Sequence, residues 1–395
     1  MSCVDQDEPS DSLLHSRNCS KTLPFDDCRF CDIHLDPRLC PGFGLLSAAE
    51  ASLDLVRYII IGAGAVGGTI GGRLAQSGHD VVLVARGAHL AALQRDGLRL
   101  VTATGTYSQL IPAVDGPAAL KELQPNDVLV LTVKSQNTVG AVQQWASAPV
   151  AGGGVAADRL PIVCAQNGVD NERTAQRLFR KVYGLCVWLP ATHLEPGVVI
   201  SHTAPLSGIL MLGRYPHGTD PVVHQIGADL ARSAFHAPVV HDVLRWKYGK
   251  LLKNLGNAVQ ALLDDQAAKF PELAAELWRA CQSEGEAVLA AAGIAYNTED
   301  ERRAVQGDRM EFQAIGGAPR AGGSTWQSLA RGTGSAEGDY LNGEIALLGR
   351  LHGLPTPVND GLQRLIDEYA RERRAPGGIA PDRLRALLDA APVRK

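Results

Sequence analysis

The fold is decided by residues 57–67, which read Arg-Tyr-Ile-Ile-Ile-Gly-Ala-Gly-Ala-Val-Gly. The first half of this stretch is a short apolar run rich in β-branched residues, which is typical of a strand buried in a parallel sheet. A helical pattern follows over residues 69–77, and a second apolar run occupies residues 79–85. Together these segments have the length of a strand–helix–strand crossover. The stretch therefore predicts the start of a doubly wound sheet.

Three glycines of this stretch, Gly62, Gly64 and Gly67, follow the G-x-G-x-x-G spacing. They come directly after a strand and open a helix, which is the context that a dinucleotide-binding turn requires. The first glycine permits a tight turn, the second lets the backbone approach a pyrophosphate, and the third allows the helix to pack closely on the strand. The first helical N–H groups, at Ala65 and Val66, offer hydrogen bonds and a partial positive charge to phosphates. We predict that these residues bind a dinucleotide.

The end of the second strand, Val84-Ala85-Arg86, indicates which dinucleotide binds. Sites for NAD usually place an acidic residue there to hold the ribose 2′-hydroxyl, and this chain has none. An arginine at that place can pair with a 2′-phosphate through its planar guanidinium. We therefore predict NADP(H) as the cofactor, with Arg86 as a ligand. The alternative is that Arg86 is a solvated residue at a strand end.

Two later strand ends are predicted to line the same cofactor site. Lys134 follows the strand at 127–133, and Asn167 follows the strand at 160–165. Ligands of open α/β sheets bind beyond the carboxyl ends of the strands, so both side chains face the cofactor. We expect Lys134 to contact phosphate or ribose, and Asn167 to contact ribose or substrate. Each has a simpler alternative as an ordinary loop residue.

The remaining pattern divides the chain of 395 residues into two domains and an extension. Further apolar runs predict strands at 98–103 and 107–114, and alternation with helical patterns indicates a Rossmann-type doubly wound sheet. Long helical periods follow at 242–264, 271–292, 298–315, 336–352 and 358–372. We predict an α/β fold with a disordered extension at 1–55, an NADP-binding Rossmann domain at 56–240 and an all-α C-terminal domain at 241–395.

Composition excludes several classes of partner. The net charge of -4 gives no electrostatic case for nucleic acid or for an anionic membrane surface. The chain has no apolar run long enough to cross a bilayer, and residues 1–30 lack the pattern of a secretory signal. We therefore expect a cytoplasmic protein, in which Cys164, Cys186 and Cys281 are buried thiols.

A cysteine-rich segment near the start of the chain contains residues that could form a zinc site. Cys28, Cys31, His34 and Cys40 are residue types that bind zinc, but their spacing is not that of a familiar zinc finger. The simpler interpretation is an extension without metal. We predict no metal site and keep zinc as the alternative.

The chain resembles the ketopantoate reductase family through five motifs that occur in the family's order. They are Gly62-Ala-Gly-Ala-Val-Gly67, Val133-Lys134, Gln166-Asn167-Gly168, Lys250-Leu-Leu-Lys-Asn254 and Glu337-Gly-Asp-Tyr-Leu-Asn-Gly343. The resemblance covers residues 57–372. It implies a Rossmann domain followed by a helical domain, and NADPH-dependent reduction of 2-dehydropantoate to pantoate on the route to pantothenate and coenzyme A.

The resemblance also implies roles for residues of the helical domain. Lys250 matches the general acid of the family, Asn254 a substrate-binding asparagine, and Glu337 the carboxylate that holds the substrate hydroxyl. Ser324 or Thr325 matches a serine near the substrate carboxylate, and the register leaves that choice open. Some motif positions on the substrate side depart from the family: Ala258 where members often have a second asparagine, Asn257 one residue earlier, and Gly338 after Glu337.

Elementary chemistry agrees with the role of Lys250. Hydride delivery to a ketone creates an alkoxide, which needs a proton or a positive charge at its oxygen. Lys250, Asn254 and Asn257 share one helical face, so they form a candidate catalytic and substrate-binding surface. Lys247 and Lys253, each three residues from Lys250, are rivals for the catalytic role.

The position of Glu337 in the sequence allows two interpretations. The helical period at 336–352 places it in a first turn, where a carboxylate suits the helix dipole and acts as a cap. The functional interpretation is a hydrogen bond to a substrate hydroxyl, with an electrostatic effect on Lys250.

Three alternatives remain for the protein as a whole. They are the reduction of another small 2-keto acid, activity as an opine-type or imine-directed dehydrogenase, and binding of NADPH as a regulator without catalysis. A small-molecule 2-keto acid is the partner expected for the reductase, and a homodimer is compatible with the sequence.

Overall fold

A computed structural model of the protein describes residues 56–315 and 322–390. The candidate zinc ligands Cys28, Cys31, His34 and Cys40 lie outside the described residues, as does the extension at 1–55. Most of the glycine-rich loop before Ser324 is outside them as well. The zinc alternative therefore stays untested. The three later cysteines, Cys164, Cys186 and Cys281, are buried free thiols, as predicted.

The strands occupy these residues in chain order: β1 Arg57–Ile61, β2 Asp80–Val84, β3 Leu98–Thr102, β4 Gly105–Gln109, β5 Ala113–Val114, β6 Asp127–Leu131, β7 Pro161–Cys164, β8 Lys181–Trp188, β9 Ala191–Thr192, β10 Val198–Ser201, β11 Thr203–Pro205, β12 Gly208–Arg214, β13 Phe235–His236 and β14 Met310–Phe312. The main sheet has the order β13-β12-β8-β7-β6-β1-β2-β5. Strands β5, β2, β1, β6, β7 and β8 are parallel, whereas β12 joins β8 in the antiparallel sense. The order reverses at β1, which is the switch point of a Rossmann sheet.

The helices occupy these residues in chain order: α1 Ala65–Gln76, α2 Gly87–Asp96, α3 Thr138–Ala146, α4 Ala156–Arg159, α5 Asn171–Gln176, α6 Pro221–Arg232, α7 Val243–Asn254, α8 Gly256–Leu263, α9 Pro271–Ala291, α10 Glu299–Gln306, α11 Ser324–Ala330, α12 Asn342–His352, α13 Pro357–Arg371 and α14 Pro381–Asp389. None of them is long and apolar enough to cross a membrane, within the residues that the structure describes.

Buried apolar residues form separate cores for the sheet and for the helices. One core covers each face of the main sheet, with Ile60 and Leu83 on one side and Ile59 and Leu129 on the other. A third core lies among α7, α8, α9, α12 and α13 and contains Leu277. The predicted fold class, a Rossmann-type sheet followed by a helical part, is confirmed.

Two predicted strands belong to a different sheet from the one expected. The apolar runs at 98–103 and 107–114 form β3 and β4, which pair in the antiparallel sense across a tight turn. They join β10 and β9 in a second sheet of four strands, and only the short β5 adds to the main sheet. The burial of the strands differs accordingly: β6 is buried at every residue, as expected for a strand covered on both faces, whereas β4 has no buried residue.

Two of the long segments predicted as helices are not single helices in the structure. The period at 242–264 is divided at Leu255 into two helices, α7 and α8, and Gly256 lies against the Trp278 ring, where a Cβ atom would be 2.0 Å from Trp278 Cδ1. The period at 298–315 ends as a helix at Gly307, whose φ is +46°, and continues as the short strand β14. The helical part therefore contains one short strand, which pairs with β11.

The segment predicted as a helix at 336–352 also begins differently. Residues Gly338–Tyr340 form a 3₁₀ turn, and α12 starts at Asn342 after Leu341 leaves helical geometry. Glu337 precedes the 3₁₀ turn, but its side chain caps nothing. The capping interpretation of Glu337 is wrong.

Candidate active site

A cleft with a volume of about 640 Å³ lies between the carboxyl ends of the sheet strands and the helices α7, α10 and α11. Most of the residues predicted as site residues line it: Gly62, Gly64, Ala65, Val66, Lys134, Asn167, Lys250, Asn254, Asn257, Ser324 and Glu337. Three do not: Gly67, Arg86 and Thr325. Two distant parts of the chain thus share one cavity.

The glycine turn after β1 is shaped as a phosphate cradle. Gly62 has φ of +109°, and its N–H donates to the Val84 carbonyl, which ties the turn to the end of β2. A Cβ atom at Gly67 would lie 2.2 Å from the Gly62 carbonyl oxygen, so this glycine is required for packing. A Cβ atom at Gly64 would meet no protein atom within 4 Å, because that position faces the cleft.

The N-terminus of α1 completes the cradle. Its first turn carries no acidic residue, and no side chain caps it. The first N–H groups of any helix have no acceptor within the helix, so those of Ala65 and Val66 are available to an anion. Nearby, the Oδ1 atom of Asn167 is buried without a hydrogen-bond partner and lines the same cleft. These features fit the phosphates and ribose of a dinucleotide.

Arg86 lies outside the cleft wall but close to the cradle. It follows β2 and precedes α2, and its side chain is exposed, with a hydrogen bond of 3.2 Å to Gln144 Oε1. The Val84 carbonyl, two residues earlier, accepts hydrogen bonds from the N–H groups of Gly62 and Ala63. Arg86 is therefore at the rim of the cradle, where the 2′-position of an adenosine ribose lies in folds of this type.

Glu337 bridges the cleft from the helical side to the sheet side. Its carboxylate accepts hydrogen bonds from Lys134 Nζ at 2.7 Å, from the Ser135 hydroxyl at 3.1 Å and from the Ser135 N–H at 3.2 Å. Burial opposes the charge, yet Lys134 and the Ser135 donors outweigh it, so the pKa of Glu337 is lowered. Glu337 pairs directly with Lys134, a contact that the sequence did not indicate.

The lysine and asparagines of the candidate catalytic face stay together despite the helix break. Lys250 and Asn254 line the cleft from α7, and Asn257 lines it from the start of α8. The Nδ2 group of Asn254 is buried and has no hydrogen-bond partner. Ala258, where the family often has its second asparagine, is only 2% exposed and belongs to the helical core. Asn257 is therefore the asparagine of α8 that faces the cleft.

Each of the two rival lysines has a carboxylate partner. Lys247 is buried and forms an ion pair with the buried Glu172 of α5. Lys253 forms an ion pair with Glu299 at 3.1 Å and lies over the Trp278 ring. Lys247 does not line the cleft, whereas Lys253 does.

Ser324 and Thr325 differ in their surroundings. Ser324 lines the cleft, and its Oγ atom is buried without a hydrogen-bond partner among the described residues. Thr325 is only 4% exposed and faces away from the cleft. Ser324 is therefore the hydroxyl available to a ligand.

The sequence did not indicate several residues of the cleft wall. Asn297 comes from the loop before α10, and Gln327 and Arg331 come from α11 and its end. An apolar wall at 187–191 includes the last residues of β8 and the first residue of β9. Neither α11 nor the Asn297 loop carries a motif, so their place in the cleft depends on tertiary packing alone.

Comparison with known proteins identifies the family of this two-part cleft. The family model described as ketopantoate reductase PanE/ApbA matches residues 58–217. The model of the C-terminal part of ketopantoate reductase PanE/ApbA matches residues 242–370. The chain belongs to the ketopantoate reductase family. It is therefore an oxidoreductase, and the resemblance that the five motifs indicate is confirmed.

Individual ketopantoate reductases match this chain over nearly their whole length. A 2-dehydropantoate 2-reductase of Pyrococcus horikoshii is 26% identical over 314 residues, which cover 79% of this chain and 96% of that protein. A 2-dehydropantoate 2-reductase of Mesorhizobium japonicum is 28% identical over 343 residues, covering 80% and 99%. The family match thus extends across both parts of the cleft.

Solved structures share the same architecture. A PanE/ApbA family ketopantoate reductase from Ralstonia eutropha superposes with a TM-score of 0.65 at 29% identity, covering 80% of this chain and 99% of that one. A D-mandelate dehydrogenase in complex with NADH and anilino(oxo)acetate gives a TM-score of 0.66 at 21% identity, covering 81% and 100%. The second likeness concerns the fold alone.

Proposed function

We propose that this ketopantoate reductase family member reduces 2-dehydropantoate to pantoate with NADPH, and that Lys250 is the general acid. The observation that carries the proposal is the single cleft that joins the glycine cradle at Gly62 and Gly64 to the face formed by Lys250, Asn254 and Asn257. Relatives named 2-dehydropantoate 2-reductase support the choice of substrate. A cytoplasmic role in pantothenate biosynthesis belongs to the same proposal.

The cradle is proposed to hold NADPH. The open space at Gly64, the uncapped start of α1 and the unpartnered Asn167 Oδ1 fit the pyrophosphate and a ribose. Arg86 at the rim supports the phosphorylated coenzyme, because a guanidinium pairs with a phosphate dianion far better than with a hydroxyl. When bound, NADPH supplies the hydride.

The helical side is proposed to hold the keto acid and to protonate it. Lys250 donates a proton to the ketone oxygen as negative charge develops there. Asn254 Nδ2 and Ser324 Oγ, both buried without partners, supply hydrogen bonds for the substrate. Such orphaned polar atoms carry a desolvation cost that a polar ligand removes, which favours binding of a carboxylate or a hydroxyl.

We propose that the side chain of Glu337 acts as an ionised carboxylate. Its lowered pKa keeps it a carboxylate, which can accept a substrate hydroxyl while it orients Lys134 and Ser135. The bridge also links helical and sheet sides of the cleft.

The substrate proposal is tested by initial rates of NADPH oxidation with ketopantoate against a panel of other small 2-keto acids. The panel is run with and without amines, and with wild-type protein. We expect the highest kcat/KM for ketopantoate and no requirement for an amine. A large preference for a keto acid with an amine would instead establish an opine-type dehydrogenase. Binding of NADPH without turnover of any compound would establish a non-catalytic regulator.

We predict that Arg86→Asp weakens NADPH binding about tenfold or more, because it replaces a charge-assisted pair with repulsion. Binding of NADH should change much less, since NADH lacks the 2′-phosphate. Both dissociation constants are measured by fluorescence titration.

The matched control is Arg95→Asp, on the exposed end of α2 beside Asp96. It should leave the ratio of NADPH to NADH affinity unchanged. Equal losses for the two coenzymes in Arg86→Asp would remove Arg86 from the site.

The remaining partner predictions are part of the same proposal. A homodimer, and the absence of nucleic-acid and membrane partners, stay predictions of the sequence.

A further inference from the structure

A cation of the cleft wall, Arg331, is not explained by the roles assigned above. It caps the C-terminal end of α11 and lines the same cleft as Gly62 and Gly64. Its Nε–H donates to the Gln327 carbonyl of its own helix at 3.2 Å. Within residues 56–315 and 322–390, its guanidinium forms no ion pair. An exposed, unpaired arginine directed into a cleft indicates an anionic ligand.

The position of Arg331 follows from the contact of α11 with the second sheet. Gln327, one turn earlier on α11, donates from Nε2 to the Ala191 carbonyl of β9 at 3.2 Å. Residues four apart on a helix lie on the same face, so Arg331 is on the face of α11 that carries this contact with β9. That segment begins with His193.

His193 connects this segment to the glycine cradle. Its ring centroid is 4.2 Å from that of His89. His89 accepts the Gly197 N–H at Nδ1, at 2.9 Å, so its proton resides on Nε2. That Nε2–H donates to the Ala63 carbonyl, inside the cradle, at 2.7 Å. The strand β9, which α11 contacts, is therefore linked through these two histidines to the turn between Gly62 and Gly64.

The electrostatics of the two histidines agree with this placement. Burial lowers the pKa of His89, and it lowers that of His193 to about 4. The positive charge of Arg331 acts in the same direction, lowering the pKa of both rings further. The carboxylate that acts on Arg331 is Glu337, which is already bonded to Lys134 and Ser135.

We propose that Arg331 binds the pyrophosphate of the dinucleotide from the helical side of the cleft, opposite the N-terminus of α1. The inference rests on the proposed function, because it presupposes a dinucleotide in the cradle. A guanidinium binds two phosphate oxygens at once through its planar fork. The sheet domain supplies backbone N–H groups, and the helical domain supplies this positive charge.

The alternative ligand for Arg331 is the substrate carboxylate, and the geometry disfavours it. Ser324, at the other end of α11, marks the substrate side. At about 1.5 Å per residue, the two ends are ~10 Å apart along the helix axis. Helix α11 thus extends from the substrate side to the cofactor side.

The test is the dissociation constant of NADPH for Arg331→Gln, measured by fluorescence titration and calorimetry on the full-length protein. We expect an increase of about tenfold or more, since a charge-assisted pair is lost. Arg331→Lys should recover part of the affinity, because it keeps the charge without the fork. Adenosine 2′-monophosphate, which lacks the pyrophosphate, should bind the variant within about twofold of wild type, because one removed contact affects only its own ligand group.

Arg385→Gln, an exposed position on α14, is the control and should match wild type. An NADPH affinity of Arg331→Gln within twofold of this control would overturn the inference. So would a variant in which only the KM of the keto acid rises at saturating NADPH. Wild-type protein that fails to bind NADPH would instead refute the proposed function, so the two failures are distinguishable.

Discussion

Replacing Lys250 by alanine will lower kcat about a hundredfold or more, while the affinity for NADPH stays close to that of wild type. The reason is that general-acid catalysis contributes only as charge develops on the ketone oxygen, whereas the cradle that holds the coenzyme is on the opposite wall of the cleft. Because the lost interaction belongs to the transition state, kcat and kcat/KM should fall together. Steady-state kinetics and NADPH titration check both parts.

The matched control for this experiment is Lys253→Ala. Lys253 comes from the same helix and lines the same cleft, but it is held by Glu299 and lies over Trp278. Its removal should cost far less turnover than removal of Lys250. A larger loss in Lys253→Ala than in Lys250→Ala would transfer the general-acid role to Lys253, and unchanged turnover in Lys250→Ala would exclude Lys250.

Replacing Lys247 by methionine will destabilise the protein by about 3 kcal/mol or more, because it leaves Glu172 buried without its cation. Both side chains are almost fully buried, with exposures of 2% and 0%. Burial already raises the pKa of Glu172 in spite of Lys247, and one of its carboxylate oxygens, Oε2, has no hydrogen-bond partner. Urea unfolding of wild type and variant measures the free energy of unfolding.

Two further variants separate the loss of the pair from the loss of a lysine. Lys253→Met breaks a half-exposed ion pair on the same helix, and surface pairs of this kind contribute about 1 kcal/mol or less. The double variant Lys247→Met/Glu172→Leu removes both charges and should be more stable than Lys247→Met alone. Equal destabilisation in Lys247→Met and Lys253→Met would contradict the buried-pair account.

The fold class could be predicted because its signals are local. The apolar strand before Gly62 and the glycine spacing after it predict the turn, whose positive φ and close packing the structure shows. The separate sheet of β3, β4, β9 and β10 could not be predicted, since it depends on the pairing of β3 with β10, about a hundred residues later in the chain. The close approach of Gly256 to Trp278 is likewise a tertiary contact that no local pattern indicates.

The candidate site also contains features that could be predicted from the sequence and features that could not. Lys250, Asn254 and Asn257 could be placed together because helical spacing alone brings them to one face. The bridge between Glu337 and Lys134 joins residues 203 positions apart, and no local pattern indicates it. Arg331 belongs to no sequence motif. Its place in the cleft wall depends on the packing of α11 against β9, which is a tertiary contact.

The central claim is that Lys250 faces the reacting carbon of the keto acid while the sheet domain holds the coenzyme. A crystal structure of the protein with NADP⁺ and pantoate tests it most directly. The account predicts Lys250 Nζ at about 3 Å from the C2 hydroxyl oxygen of pantoate, on the side facing the nicotinamide ring. A complex in which Lys250 points into solvent, beyond hydrogen-bond reach of that oxygen, would contradict the account.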